Sequence, residues 1–584
     1  MSRIRRVWSA LATAMLAVLA HAAAAQSADA TPALRGIVRS AEEGPMEGVV
    51  VIAQRRGDAI LTAVSTNASG AYEFPRDHLR PGEYAISIRA SGYELPNSSK
   101  SRVVAIAASK PATLELTLTG ISDTSKLASQ LTNLEWVNSF PGTAQEKDVM
   151  MRNVVNCGFC HSLERIARST HSAEEFQSVI QRMATYEADH SSADRIQIAS
   201  LPQPLEHLQW WWRDIKPISQ WLATVNLSDA KTQWAYPLRV LPRPRGKATR
   251  AIVTVFPLPR ASSIVHDLDV DSKGNVWFGN TAWDYIGRLN PTTGEFSEWP
   301  APNFLPAAAP GLDRILGVLD IQVDPQDNVW AAVGGNKLAV FSPASAQWRS
   351  FDVPVVWLSP FRAPIHAGQQ AAWVTGITAP PTDGKWHENA FRLDIRTGKL
   401  GHGIPLYEDK TPPVDPFHTN PFHFCYMSDQ DADGNFLCTD PVGSAIVRAD
   451  AATGRTRLIP TPTPLAFPRR GYRDPQNRFW FGEFFADKIG VIDLATDRIT
   501  EYETGTKYLS PYYARPDRNG DVWVSSTGSD RVLRLDPKTG GITQYLMPVY
   551  YDARKVVVDL NAKMTTVWLP NKNSGTLLRI EVPD

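Results

Sequence analysis

The sequence predicts a mainly β, multidomain protein with an N-terminal β-sandwich, a small α-helical domain and a C-terminal seven-bladed β-propeller. Three observations lead to this prediction. Short segments that alternate apolar and polar residues occupy 31–119. Segments with helical spacing of apolar residues occupy 120–228. A pattern built around a large apolar residue, usually Trp, then recurs along 245–584.

The composition is that of a globular protein without a strong net charge. The chain has 584 residues, which suggests about three to five structural units. It is 43% hydrophobic and 21% charged, and 60 basic residues balance 60 acidic ones. Because no excess positive charge is present, we expect no nucleic acid partner. Eighteen Trp and 44 Pro favour a turn-rich β protein.

The first 25 residues have the pattern of a secretory signal peptide. Three arginines precede an apolar run at 9–20, and Ala23 and Ala25 provide a small-residue cleavage site. The run is short for a membrane anchor, and no later stretch is long and apolar enough to span a bilayer. We therefore expect cleavage after Ala25, no membrane span in the mature chain, and a periplasmic or secreted location.

Residues 31–119 contain about seven short strands separated by turn clusters, which is typical of a small sandwich. The segment resembles the carboxypeptidase regulatory-like, transthyretin-like family. The motifs that carry the resemblance are Gly36-x-Val38, Pro45-x-x-Gly48-Val49-x-Val51, Thr66-x-x-x-Gly70-x-Tyr72-x-Phe74, Leu79-x-Pro81-Gly82-x-Tyr84 and Gly92-Tyr93. The resemblance implies an accessory or binding module. It implies no peptidase activity, because the segment contains one histidine, His78, and no zinc peptidase site.

The helical segment contains the haem attachment motif Cys157-Gly-Phe-Cys160-His161. Its two thiols are spaced to add across the two vinyl groups of a porphyrin, which places the adjacent histidine under the iron. A thioredoxin-like pair would need a βαβ context, and a zinc half-site would need a second ligand pair. Neither is present in this segment. The motif predicts one covalently bound haem c, with His161 as an iron ligand.

Three helices are predicted around this motif. One covers 144–156, a second follows the capping box Ser172-Ala-Glu-Glu175, and a third begins near Pro217. A helix before the motif and a closing helix with an I-x-x-W-L pattern make the segment similar to the cytochrome c fold. Met183, on the apolar stripe of the second helix, is the expected sixth iron ligand. The rival ligands are His171, His190 and His207, and an open site is the remaining alternative.

The repeat in the last part of the chain joins an Asp, a turn, a large apolar residue and two strands. The large residues are Trp277, Trp330, Trp373, Leu437, Trp480, Trp523 and Trp568. Five of their six spacings are 43–53 residues, and one four-stranded sheet per copy gives seven blades. The strand at 251–259 is expected to close the ring against the last blade.

The repeats resemble those of the streptogramin B lyase family, which read D-G-x-x-W-F-x-E followed by I-G-R. The resemblance implies catalytic histidines at the starts of inner strands and glutamates that help to bind Mg²⁺. The matching positions here are His266, Arg469, Tyr512 and Arg554, and the matching glutamate is Glu483. Only one His and one Glu fit the family pattern. These side chains are expected to form a charged funnel, which either binds an anion or consists of ion pairs between blades.

The two remaining cysteines, Cys425 and Cys438, flank the turn Asp431-Ala-Asp-Gly434. If the flanks form a hairpin, the cysteines face each other, and we expect a disulfide. His418 and His423 nearby have loose metal-ligand spacing and are interpreted as part of this loop.

The leading functional hypothesis is electron transfer or oxidoreduction by a haem protein whose propeller binds a substrate or redox partner. The alternatives are a lyase-like propeller enzyme with an accessory haem and a non-catalytic binding or sensor protein.

Overall fold

A computed structural model describes residues 31–96, 102–158, 161–188, 215–227, 233–260, 263–281, 283–302, 317–333, 337–353, 361–363, 371–377, 388–407, 423–572 and 574–583. The expected signal peptide, Cys160, His190, His207 and His418 lie outside these ranges. The described residues form a mainly β structure with an N-terminal β domain, a short helical segment and a C-terminal propeller-like region.

The N-terminal domain consists of two sheets that share one core. Its strands are β1 Leu34–Ser40, β2 Gly44–Pro45, β3 Val50–Arg55, β4 Leu61–Ser65, β5 Ala71–Phe74, β6 Gly82–Arg89, β7 Tyr93–Glu94, β8 Arg102–Ile106, β9 Ala112–Thr113 and β10 Leu116–Gly120. Strand β1 pairs with β2, β5, β9 and β10, whereas the other sheet has the order β4-β3-β6-β8. Alternation along the strands places Val38, Val51, Phe74 and Ile86 in the shared core.

The helical segment contains α1 Thr124–Ala128, α2 Asn133–Ser139, α3 Ala144–Cys157, α4 Glu164–Ala167, α5 Ala173–Ala188 and α6 Ile215–Val225. The predicted capping box is present before α5. The amide of Ser172 donates to the Glu175 carboxylate, and the amide of Glu175 donates to the Ser172 hydroxyl. Trp136, Phe176 and Leu222 contribute to the apolar core among these helices. None of the described helices combines the length and the apolar composition needed to cross a membrane.

The propeller-like region begins after a short 3-10 helix at Gly246–Thr249. Its strands are β11 Ile252–Pro257, β12 Val265–Val270, β13 Val276–Asn280, β14 Tyr285–Asn290, β15 Glu295–Pro300, β16 Ile321–Val323, β17 Val329–Val333, β18 Lys337–Ser342, β19 Gln347–Asp352, β20 Phe361–Arg362, β21 Ala371–Ile377, β22 Glu388–Asp394, β23 Ile404–Pro405, β24 Met427–Gln430, β25 Phe436–Asp440, β26 Ala445–Ala449, β27 Thr456–Pro460, β28 Pro468–Arg473, β29 Arg478–Glu483, β30 Lys488–Asp493, β31 Arg498–Glu503, β32 Pro511–Pro516, β33 Val522–Ser526, β34 Arg531–Asp536, β35 Gly541–Leu546, β36 Val557–Asp559, β37 Thr565–Asn571 and β38 Thr576–Val582.

These strands form four-stranded antiparallel units, which we call blades. Six blades consist of four consecutive strands, from β12–β15 to β32–β35. The seventh combines β36, β37 and β38 with β11, which pairs antiparallel with β38 and places Val255 opposite Leu578. The predicted closing strand is therefore confirmed. First strands of successive blades lie side by side, and β36 also contacts β12, so these strands surround a common centre.

A set of hydrogen bonds that recurs in the repeats explains why they have the same fold. In four blades an aspartate accepts backbone hydrogen bonds from the turn that follows it and an indole hydrogen bond from the Trp six residues later. These pairs are Asp271–Trp277, Asp324–Trp330, Asp474–Trp480 and Asp517–Trp523. In the fourth blade Leu437 replaces the Trp, and Arg448 donates to the Asp431 carboxylate at 2.7 Å instead. The aspartate thus fixes the turn between the first and second strands.

The N-terminal domain is continuous with the last blade. Strand β4 pairs with the free edge of β11, with Ala63 opposite Val253, so one eight-stranded sheet runs through both domains. Arg89 forms an additional ion pair with Asp530 of the sixth blade. Since the shared sheet buries an edge that would otherwise be open, the two domains stabilise each other.

Candidate functional site

The Cys157-x-x-Cys160-His161 motif begins at the end of α3. Cys157 is the last residue of that helix, and its half-buried side chain packs against the helical core. The imidazole Nδ1 of His161 lies 3.0 Å from the carbonyl oxygen of Ser162. A carbonyl only accepts, so Nδ1 carries the hydrogen and Nε2 is left as the ligating atom, which is the usual arrangement for a metal-binding histidine. Burial lowers the pKa of His161. This geometry is compatible with His161 as the proximal ligand of a haem iron.

Two of the four candidate sixth ligands lie within the described residues. Met183 is half-buried on α5, one turn after Ile180, which belongs to the helical core. His171 precedes α5, stands edge-on to Phe176 and lies 3.9 Å from the Glu175 carboxylate. The His171 side chain is 43% exposed and faces this carboxylate, so Met183 is in the better position of the two to act as a sixth ligand.

The motif is attached to the propeller-like region by hydrogen bonds. The hydroxyl of Tyr550 donates to the carbonyl oxygen of Gly158 at 3.0 Å, and the Asn133 amide donates to the same hydroxyl at 3.0 Å. The Asn133 side chain also accepts from the amide of Leu163 at 2.7 Å. The neighbouring Leu134 amide donates to Gly528 of the sixth blade at 2.8 Å. The loop of the motif is thereby held against the loops of the last two blades.

A buried ion-pair network occupies the centre of the blades. Arg470 donates two hydrogen bonds to Asp267, at 2.5 and 2.8 Å. The Lys555 ammonium lies 3.5 Å from Asp267 and 4.0 Å from Asp320, and it donates to the carbonyl of Ile321 at 2.6 Å. Since these groups come from four blades, the network joins distant parts of the chain.

The network fixes the protonation of its members. Burial alone would raise the pKa of Asp267, but the charges of Arg470 and Lys555 hold it well below its ordinary value. Burial and the nearby Asp267 raise the pKa of Asp320 to about 7. The Nδ1 atom of His266 lies 2.6 Å from a carboxylate oxygen of Asp267. Burial lowers the pKa of His266 to about 3, so its imidazole is neutral at physiological pH.

A second group of side chains lies beside this network and combines arginines with tyrosines. The guanidinium carbon of Arg469 lies 4.7 Å from the ring centre of Tyr426 and 5.4 Å from that of Tyr512. Arg554 lies 4.8 Å from the Tyr512 ring and binds Asp552 at 3.0 Å. The two tyrosine hydroxyls are hydrogen-bonded to each other. Burial opposes ionisation of Tyr512, but the two arginines and Tyr426 outweigh it and lower its pKa, whereas burial raises that of Tyr426.

The structure brings together four of the five predicted funnel residues, because His266, Arg469, Tyr512 and Arg554 lie at the starts of inner strands. Glu483 ends the second strand of its blade, where it pairs with Pro468, and its place in the funnel stays a prediction. Its carboxylate packs against Gly490, with Oε1 2.9 Å from the position that a Cβ there would occupy. Burial and the Glu501 carboxylate raise its pKa to about 8.

The partners of these residues were not predicted from the sequence: they are Asp267, Asp320, Tyr426, Asp552 and Lys555. Two of them, Asp267 and Lys555, directly follow predicted funnel residues. The sequence feature that could have indicated these two partners is a pair of adjacent titratable residues at the start of the first strand of a blade.

The predicted disulfide between Cys425 and Cys438 is confirmed, with a Cα–Cα distance of 5.7 Å. The predicted register was wrong, because Ser428 lies opposite Cys438 and Cys425 precedes the strand. His423, close to this bond, pairs with Asp440 and stacks on Tyr407 with ring centres 4.9 Å apart. Within the described ranges, no three His, Cys, Asp or Glu side chains are grouped to hold a metal ion.

Comparisons with known proteins identify one domain. Residues 33–119 match the model of the carboxypeptidase regulatory-like domain, which confirms that resemblance for the N-terminal part. A photosystem II assembly lipoprotein, Ycf48 of Synechococcus sp. (strain RCC307), is 32% identical over 89 residues, which are 15% of this chain and 25% of that protein. The chain thus matches about a quarter of the length of this curated relative.

Several solved structures are similar to part of the chain. A streptogramin B lyase is 18% identical and covers 58% of this chain and 100% of its own, with a TM-score of 0.46. A virginiamycin B lyase from Staphylococcus aureus is 18% identical over 57% of this chain and 100% of its own, with a TM-score of 0.44. The extracellular domain of a putative hybrid two component system from B. thetaiotaomicron is 16% identical over 54% of this chain and 40% of its own, with a TM-score of 0.38. All three TM-scores are below 0.5, so these likenesses carry no argument about activity.

Proposed function

We propose that this chain is an exported c-type haem protein that acts in electron transfer or as an oxidoreductase. In this proposal, residues 120–228 form a cytochrome c-like domain, and a seven-bladed propeller binds the substrate or redox partner. The observation that carries the proposal is the Cys157-x-x-Cys160-His161 motif at the end of a helix, with the Nδ1 of His161 directed to a backbone carbonyl.

The residues of the helical segment have distinct proposed roles. The Cys157 and Cys160 thiols would attach the haem covalently, and His161 and Met183 would bind its iron. Bound haem c supplies reversible one-electron chemistry, and a thioether ligand raises its reduction potential. The apolar side chains of α5 and α6, including Phe176, exclude water from this site.

The position of the motif supports a role for the propeller in the same reaction. Tyr550 hydrogen-bonds to Gly158 of the motif, and Arg554 reaches the central tyrosines. The two residues are four positions apart in the sequence, so their Cα atoms are at most about 14 Å apart. A substrate held at the centre of the blades would therefore lie near the haem attachment loop.

Two observations support export. The N-terminal sequence has the pattern of a signal peptide, and the disulfide between Cys425 and Cys438 is a bond that persists in oxidising compartments. Covalent haem attachment through a C-x-x-C-H motif also takes place after export.

The lyase alternative is less well supported by the geometry. His266, the only histidine that fits the lyase pattern, is held by Asp267 inside the ion-pair network. Glu483, the only matching glutamate, packs its carboxylate against Gly490 of the next strand. Within the described ranges, neither residue belongs to a group of three His, Cys, Asp or Glu side chains that could hold a metal ion.

The test is haem attachment in the full-length protein, produced by export together with a cytochrome c maturation system. We expect a c-type pyridine haemochrome spectrum and reversible reduction. The double variant Cys157→Ser/Cys160→Ser should lose the spectrum. The matched control, Cys425→Ser/Cys438→Ser, removes the other two cysteines and should keep it. A folded wild-type protein without haem, or equal haem content in both variants, contradicts the proposal.

A further inference from the structure

Four basic side chains lie together at the centre of the blades: Arg469, Arg470, Arg554 and Lys555. Three of them have carboxylate partners, as described above. Arg469 differs, because within the described residues no carboxylate lies within 4.0 Å of it and its Nε has no hydrogen-bond partner. It is only 4% exposed. A buried guanidinium without a counter-charge is costly, and among the described residues Arg469 is a cation that has no such counter-charge.

Aromatic rings compensate only part of this charge. The Arg469 guanidinium carbon lies 4.5 Å from the Phe467 ring centre and 4.8 Å from that of Phe484, in addition to the two tyrosines. Such cation–π contacts attract the guanidinium charge electrostatically. Ring faces attract the charge but leave most of the five guanidinium N–H donors without acceptors. The environment therefore favours the cation and leaves its donors available to an anion.

The chemistry of these groups defines the ligand that they would bind. A planar guanidinium matches a carboxylate through two parallel hydrogen bonds, which is a geometry that a lysine cannot provide. The hydroxyls of Tyr426 and Tyr512 add polar contacts, and Arg554 adds a second positive charge at 4.8 Å from the Tyr512 ring. Phe467 and Phe484 provide an apolar wall for the body of the ligand.

We propose that Arg469, with Arg554, Tyr426 and Tyr512, forms a binding site for a carboxylate that is attached to an apolar or aromatic group. This inference deepens the proposed function, because it names the substrate class of the propeller. It does not depend on the haem, since all four side chains belong to the blades or their inner loops.

Calorimetric titration of the full-length protein tests this site with three probes: benzoate, its neutral isostere benzamide, and sulfate. We expect one benzoate per chain, bound at least about tenfold more tightly than benzamide, because a charge-assisted bidentate pair is lost with the neutral amide. Sulfate carries the charge without the apolar group and should bind more weakly than benzoate. Benzoate and benzamide binding alike, neither of them binding, or sulfate binding as tightly as benzoate overturns the proposal.

Variants assign the binding to these residues. Arg469→Gln should weaken benzoate binding at least about tenfold, and Arg469→Lys should restore only part of it. The matched control is Arg288→Gln, because Arg288 also stacks on aromatic rings, those of Trp277 and Trp299, but in the first blade. This control should bind benzoate like the wild type. Tyr426→Phe, which keeps the ring, serves if Arg469→Gln does not fold, and should weaken binding severalfold. Unchanged affinity in folded Arg469→Gln, or in Tyr426→Phe where that variant replaces it, contradicts the site.

The same titration separates this inference from the haem proposal. In the Cys157→Ser/Cys160→Ser variant, benzoate should bind as it does in the wild type. If haem is absent from the wild type but benzoate binding follows Arg469, the haem proposal fails and the site stands. If haem is attached but benzoate does not bind, the site fails alone.

Discussion

Glu483 offers a quantitative test of how burial controls charge in this protein. Its side chain is fully buried, and its carboxyl group lies beside the carboxylate of Glu501. Burial is the main cause that raises its pKa from 4.5 to about 8, and Glu501 and Glu503 raise it further while Lys488 lowers it. The substitution Glu483→Gln keeps the shape of the protonated acid and removes its ability to ionise.

The sign of the effect follows from proton linkage. In the unfolded chain this carboxyl loses its proton near pH 4.5, whereas in the folded chain it keeps the proton to about pH 8. The folded state therefore binds more protons between these values, and its stability falls as the pH rises through this window. The difference corresponds to at most about 5 kcal/mol. Relaxation and water entry reduce this value, so we expect about 2–4 kcal/mol at about pH 9.

Urea denaturation followed by circular dichroism at about pH 6 and about pH 9 measures this difference. Glu483→Gln should be within about 1 kcal/mol of the wild type at the lower pH and more stable at the higher pH. The matched control is Glu503→Gln, from strand β31 of the same blade, whose side chain is 74% exposed. It should change stability by less than about 0.5 kcal/mol at both values. A Glu483→Gln variant that is no more stable than the wild type at about pH 9 refutes this reasoning.

Three further predictions follow from the centre and the disulfide. Arg470→Met leaves Asp267 buried without its bidentate partner and should lower the free energy of unfolding, measured in urea, by about 3–5 kcal/mol. Adding Asp267→Leu should restore much of this loss. An unchanged urea midpoint in Arg470→Met would show that the ion pair is dispensable. Removing the disulfide with Cys425→Ser/Cys438→Ser should cost about 3 kcal/mol, as expected for a bond that spans 13 residues, and no change in the urea midpoint would contradict this. Benzoate should bind more weakly as the pH rises towards about 10, because the lowered pKa of Tyr512 produces a phenolate there that repels the carboxylate. Tyr512→Phe should abolish this pH dependence. A pH dependence that persists in this variant would exclude Tyr512 as its source.

The elements that were predicted from sequence are those with local causes. The Asp–turn–Trp repeat is visible because the residues that fix each turn lie six positions apart, as in Asp271 and Trp277. The capping box before α5 is equally local, since Ser172 and Glu175 satisfy each other. Closure of the ring by β11 was also predictable, because a repeat lacking one strand needs an apolar strand from elsewhere.

The features that were not predicted depend on contacts between distant residues. Asp267 and Arg470 are 203 positions apart, and neither sequence neighbourhood indicates the other. The packing of the Glu483 carboxylate against Gly490 was also not evident from its position after the Trp, because it depends on how the second and third strands of the blade pair. The register around Cys438 also differed, because Cys425 lies before the strand and reaches its partner diagonally.

Intact mass spectrometry of the exported full-length protein, under denaturing conditions that remove any non-covalent cofactor, decides whether one haem is covalently bound at the motif that contacts Tyr550 and Asn133. The haem proposal predicts a mature chain that begins after Ala25 and carries the mass of one haem, with the added mass mapping to the peptide that contains Cys157 and Cys160. A mature chain with the mass of the polypeptide alone, after co-expression with the maturation system, would contradict it.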